Sequence, residues 1–152
     1  MSKGITAVSA FVILLFAFGV SAQQKTRVND ANSKRMLVGK HMFSLQWISW
    51  DYFGSATVTE KNGILSLTGE QKSRENDDFI RIDGTIISVD SKSFKFSGTV
   101  ETRVTHINGG DICTRSGEMT FAIKKNRKYW RLSEMDNPCD EVVDYVDIFF
   151  RK

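Results

Sequence analysis

From Phe94 onward, the stretch FKFSGTVETRV alternates. Phe94, Phe96, Gly98, Val100, Thr102 and Val104 fall on one face, and Lys95, Ser97, Thr99, Glu101 and Arg103 fall on the other. A period of two with one apolar and one polar face is that of a half-buried β-strand. The same alternation recurs between short turn signals and predicts strands over 42–50, 54–61, 64–71, 79–89, 93–107, 111–124, 128–134 and 142–151. No segment sustains a helical period. The connections read as hairpins, so the predicted domain is antiparallel and all-β.

A correct set of hairpins must pair inward residues with inward residues. A two-residue turn at Asn62-Gly63 sets Val58 opposite Leu67 and Ala56 opposite Gly69. A three-residue turn at 90–92 sets Ile86 opposite Phe96 and Gly84 opposite Gly98. A turn at Asn108-Gly109 sets Val104 opposite Cys113, Thr102 opposite Arg115 and Phe96 opposite Phe121. One at Lys125-Asn126 sets Phe121 opposite Trp130 and Met119 opposite Leu132. All four turns keep the apolar phases together. Gly69, Gly84, Gly98 and Gly117 all fall in the inward phase, where glycine relieves crowding and permits a bend. Eight strands in series with bends in the middle ones predict a closed up-and-down barrel, with an open two-sheet sandwich as the alternative.

Running up and down in order, the strands sort the loops to two ends. The tight turns share one end with Lys61, Lys92, Lys124, Lys125, Arg127 and Lys128. The longer connections 51–53, 72–78, 108–110 and 135–141 share the other with Asp51, Glu75, Asp77, Asp78, Asp111, Glu134, Asp136, Asp140 and Glu141.

The series of eight antiparallel strands, with Trp47 and Trp50 in the first ("SLQWISW"), resembles the lipocalin-like group. That resemblance implies a cup for a small, usually apolar ligand. The Gly-x-Trp signature of that group is absent, since "VGKHMFSLQW" separates Gly39 from Trp47. "HINGGDICTRSG" and "KYWRLSEMDNPCDEVVDYVDIFF" are similar to a signature of small exported bacterial proteins. This second resemblance implies an address and no activity.

Lys3, the apolar run "AFVILLFAFGV" and small residues at Val20 and Ala22 are the parts of a secretory signal peptide over 1–22, cleaved after Ala22. The run is short for a bilayer span, so the mature chain is expected in the periplasm or outside the cell with no membrane span. A polar leader over 23–36 without pattern is expected to be flexible, and the barrel domain occupies 37–152. Two cysteines in an exported chain predict a disulfide, Cys113 to Cys139. Both positions fall at the acidic end, so the bond would tie the 135–141 loop across the mouth. Loss of Lys3 lowers the formal charge from +3 to +2, with the basic residues scattered. Neither feature suggests a nucleic-acid partner.

Inward Arg115, beside Thr102, is the polar feature that demands explanation, because an unpaired buried charge costs several kcal/mol. Tyr145 and Asp147 share one phase of the last strand, and Val146, Ile148 and Phe150 share the other. If Asp147 points inward, it pairs with Arg115. If it points outward, Arg115 is free to hold the anionic head of a ligand whose tail lies against Phe94, Phe96, Met119, Phe121 and Trp130, or to reach water. No nucleophile elbow, zinc helix or phosphate loop is present, and His41 and His106 assemble no zinc set, so no enzyme, metal or cofactor is expected. The leading expectation is an exported carrier of a small amphipathic molecule. The alternative is a protein-binding module or hydrolase inhibitor that uses the mouth loops, with Trp50, Tyr52 and Phe53 as anchors.

Overall fold

A computed structural model describes residues 23–151, and the expected signal peptide lies outside the described residues. Eight strands form one closed antiparallel wall: β2 (Gly39–Leu45), β3 (Gly54–Lys61), β4 (Ile64–Lys72), β5 (Phe79–Val89), β6 (Ser93–Arg103), β7 (Cys113–Ala122), β8 (Tyr129–Leu132) and β9 (Val146–Phe149). Each pairs with its neighbour in sequence, and β9 closes on β2 with Phe43 opposite Ile148. Closure removes the sandwich alternative. Asn62 and Gly63 both take positive φ, 54° and 77°, as a tight hairpin twisting with its strands requires.

The interior is packed with the inward phases read from the alternation. Phe43, Leu45, Ala56, Leu67, Ile80, Phe94, Phe96, Phe121, Leu132 and Ile148 are wholly buried in one cluster. Val58 faces Leu67 and Gly84 faces Gly98, as expected. The glycines do not leave the space empty. A Cβ on Gly98 would stand 2.6 Å from Cζ of Phe96, and one on Gly84 would stand 2.8 Å from its Cε2. The Phe96 ring therefore occupies the room that these two glycines make.

Several expectations are corrected. Residues 27–37 are ordered structure, where the sequence suggested a flexible leader. Arg27–Val28 form β1, parallel to β5, and Ala31–Leu37 form helix α1. Asp30 caps the helix by accepting a bond from the Ser33 amide (2.6 Å), and Leu37 is wholly buried. The helix spans 7 residues, too short for its apolar period to stand out. Ser33 donates to the Ser91 carbonyl and Thr26 to the Ile86 carbonyl, so the segment closes the tight-turn end. The first strand begins and ends earlier than predicted, which puts Trp47 and Trp50 in the following loop. A 3₁₀ turn at Asn108–Gly110, with positive φ at Asn108, Gly109 and Gly110, lengthens the β6–β7 connection. Thr102 then faces Cys113, Val100 faces Arg115 and Phe96 faces Met119. The next hairpin slips in the same way and sets Phe121 opposite Leu132. Each slip is two residues, so every side chain keeps its face. Gly117 departs from the other three glycines: it has φ +110°, is exposed, and has nothing within 4 Å of where a Cβ would sit.

Candidate functional site

Of the residues expected to hold a ligand, Phe94, Phe96, Met119, Phe121 and Trp130 are brought together, but against one another. Phe94 stacks on Phe121 at 5.1 Å, Phe96 meets Phe121 edge-on at 6.2 Å, and Trp130 meets Phe94 edge-on at 6.0 Å. All five are buried core. Thr102 is buried beside Cys113. Tyr145 lies apart from them on the outer surface, its ring 4.1 Å beneath the Arg131 guanidinium.

Arg115 has an anionic partner, and it is Asp144. Its Nη2 lies 3.3 Å from Asp144 Oδ2, and its Nη1 donates to the Asp136 carbonyl at 2.9 Å. The expected pairing with Asp147 is corrected: Val146 and Ile148 fill the interior, so Asp147 takes the outer phase. There it is covered by Arg131, which donates to both carboxylate oxygens at 2.7 Å. The void bounded by Val100, Thr102, Cys113, Arg115, Pro138 and Asp144 measures about 10 Å³, room for a single water at most. No ligand head group fits beside Arg115.

Asp144 is the hub of the open end. It is 3% exposed and also accepts bonds from Trp47 Nε1 (3.2 Å) and Asn137 Nδ2 (2.9 Å), linking the 46–53 loop, β7 and the 133–145 loop. Burial raises its carboxyl above the ordinary aspartate value, and the bonds from Trp47, Arg115 and Asn137 oppose that rise. The remaining loops are stapled in the same manner. Gln71, 1% exposed, receives the Leu45 amide and donates to the Tyr52 carbonyl. Asp78 accepts from the amide and hydroxyl of Thr105, and Asp140 accepts from the Asn108 amide. That amide and the amide of Glu141 hold the Asp140 carboxyl below its usual range. The disulfide joins Cys113 to Cys139 with a Cα separation of 5.9 Å, fastening the 133–145 loop to the top of β7.

These staples leave an open groove of about 450 Å³ lined by Trp47, Asp136, Asp140, Glu141, Val142 and Val143. Trp50 stands 52% exposed and Phe53 37% exposed on the adjoining loop. Sequence reasoning found the loops, the disulfide and the acids. It missed Gln71 and Asp144, polar residues within the predicted strands 64–71 and 142–151, and Asn137 in the 135–141 loop, because alternation marks apolar faces and does not single out a buried polar side chain.

Among the described residues no helix is long and apolar enough to cross a membrane. No solved structure matches the chain. It is 44% identical over 133 residues to the uncharacterised protein PM1083 of Pasteurella multocida (strain Pm70), with 86% of each chain covered. The description of the PM1083 family matches residues 25–150, from just before β1 to just past β9, and the chain belongs to that family.

Proposed function

We propose that the protein is an exported protein-binding module that captures a cationic partner on the acidic open end of its barrel. The observation carrying this reading is the filled interior: the residues a carrier would use to line a cup pack against one another, and about 10 Å³ remains beside Arg115. A barrel of this kind binds on its outside. The open end supports that role with exposed Trp50 and Phe53, a groove walled by Trp47 and three carboxylates, and loops held by a disulfide and a buried ion pair. Rigid aromatic anchors ringed by charge are what tight protein interfaces use. The disulfide also suits an oxidising compartment.

The test is binding of the protein to a panel of purified secreted hydrolases, basic and acidic, measured at two salt concentrations. Expected is capture of basic members that weakens as salt rises and is abolished by Trp50→Ala with unchanged melting. A small amphipathic molecule co-purifying in native mass spectrometry, with no hydrolase captured, would restore the carrier reading and overturn this one.

A further inference from the structure

The shortest ladder in the barrel wall lies between β7 and β8. It contains two pairs, Phe121 with Leu132 and Ala122 with Arg131, followed by a bond from the Ser133 amide to the Thr120 carbonyl (2.7 Å). Beyond it the chain leaves the wall for the 133–145 loop, while β7 continues up to Cys113 along β6. Alternate residues of a strand direct their N–H and C=O groups to opposite neighbours. Thr120 sets the phase. Its carbonyl accepts from Ser133 and its amide donates to Glu134 Oε2 (2.9 Å), both away from β6. Glu118, Ser116 and Thr114 therefore aim their backbone groups the same way. Among the described residues no hydrogen bond meets those groups on that side, and all three residues are exposed.

Carboxylates surround this edge. Glu118 lies on it, Glu101 sits opposite Thr114 on β6, and Glu134 and Asp136 belong to the flanking loop. Among the cations nearby, Arg115 is engaged by Asp144 and the Asp136 carbonyl, Arg103 donates to the Gly110 carbonyl, and Lys95, opposite Thr120, stands beyond the Thr114–Glu118 stretch. We propose that the edge Thr114–Glu118 accepts an extended, basic segment of the protein partner as an added strand. This rests on the reading of the open end as a protein-binding surface and names how the partner is held. Main-chain bonds to the unpaired groups supply affinity, and the acidic rim selects lysine- or arginine-bearing segments. A second copy of this chain is disfavoured as occupant, because edge-to-edge pairing would bring the two acidic rims together.

The probe is a hexapeptide alternating lysine and valine, titrated into isotope-labelled protein and followed by amide resonances. Shifts and slowed exchange are expected at Thr114, Ser116 and Glu118. Methylating alternate backbone nitrogens of the peptide should weaken binding at least tenfold, and a glutamate–valine peptide should not bind. Ser116→Pro removes an outward N–H that β6 does not use, in a position where an edge strand tolerates proline, and should weaken binding at least tenfold with the spectrum otherwise retained. If that variant fails to fold, Glu118→Lys should reject the basic peptide and admit the acidic one. Shifts confined to the 46–53 loop and the Trp47 groove, equal binding of the methylated peptide, or edge shifts that follow protein concentration without peptide would each overturn the proposal. Partner capture that needs Trp50 yet is unchanged by Ser116→Pro would sink the added strand and leave the proposed function standing. Peptide binding at the edge with no hydrolase captured would support the edge and remove that function.

Discussion

Truncating Phe96 tests whether the barrel is a solid or a cup. The ring is wholly buried, packs edge-on against Phe121, and lies over Gly84 and Gly98, which have no side chains to swing into the space it would vacate. Backbone on the far side limits collapse further, since the two glycine Cα atoms already face each other in the β5–β6 ladder. A site that cannot relax puts Phe96→Ala in the range of 3 to 5 kcal/mol seen for buried phenylalanines, about 4 kcal/mol here. With about 130 folded residues and an unfolding entropy of about 2.1 cal/mol/K per residue, that loss lowers the melting temperature by about 15 °C. Urea titration and thermal unfolding by circular dichroism measure both quantities, and xenon binding reports the new void. A loss below about 1 kcal/mol with no xenon uptake would refute the packing argument and mean that Phe96 borders open space.

Three further outcomes follow from the same structure. Replacing both Cys113 and Cys139 with alanine releases a closure spanning 26 residues of sequence; the chain-entropy relation puts the loss at about 3.5 kcal/mol, and equal denaturation midpoints for the two forms would contradict it. Arg131→Ala strands the Asp147 carboxylate, which is 1% exposed, and should cost about 3 to 5 kcal/mol, whereas the double variant Arg131→Met with Asp147→Leu should unfold within about 1 kcal/mol of the parent; equal losses for both would show that the charge pair is not what matters. Asp144 holds its proton to higher pH when folded than when unfolded, so it favours the fold below about pH 3.8 and that contribution is lost as pH rises through the raised folded value. Asp144→Asn should therefore gain stability relative to the parent as pH rises across that window, and a relative loss in paired urea titrations would reverse the assignment.

How far the sequence reaches can be seen residue by residue. Phe94, Phe96 and Val100 declared their inward face through alternation alone, and the structure buries all three. The register of β6 on β7 was wrong by two positions, yet no residue changed face, because parity is set by the pleat while register is set by the turn. The Asn62-Gly63 turn was readable because only a few residues accept two successive positive φ values. The 3₁₀ turn at Asn108–Gly110 was not, because glycines permit several conformations and do not choose among them. Helix α1 escaped notice because a single wholly buried side chain, Leu37, anchors its seven residues. For Arg115 the alternation left open a pairing with Asp147, a ligand's anionic head or water; the partner is Asp144, three positions earlier and in the opposite phase, which the strand boundary at Val146 leaves in the loop.

Local chemistry was enough for the wall, its two ends, the disulfide and three of the four glycines read as inward, since alternation, turn type and cysteine count act over a few residues or on the whole chain at once. Whether the wall encloses a cavity could be answered only once opposite strands met. Glycine opposite glycine can make room for a guest or for a neighbour's ring, and here the Phe96 ring takes it. The open edge of β7 is equally a product of assembly, because it exists only where β8 stops short at Leu132 and the chain turns away. Filling and pairing depend on residues far apart in sequence, and no local pattern encodes the distance between them.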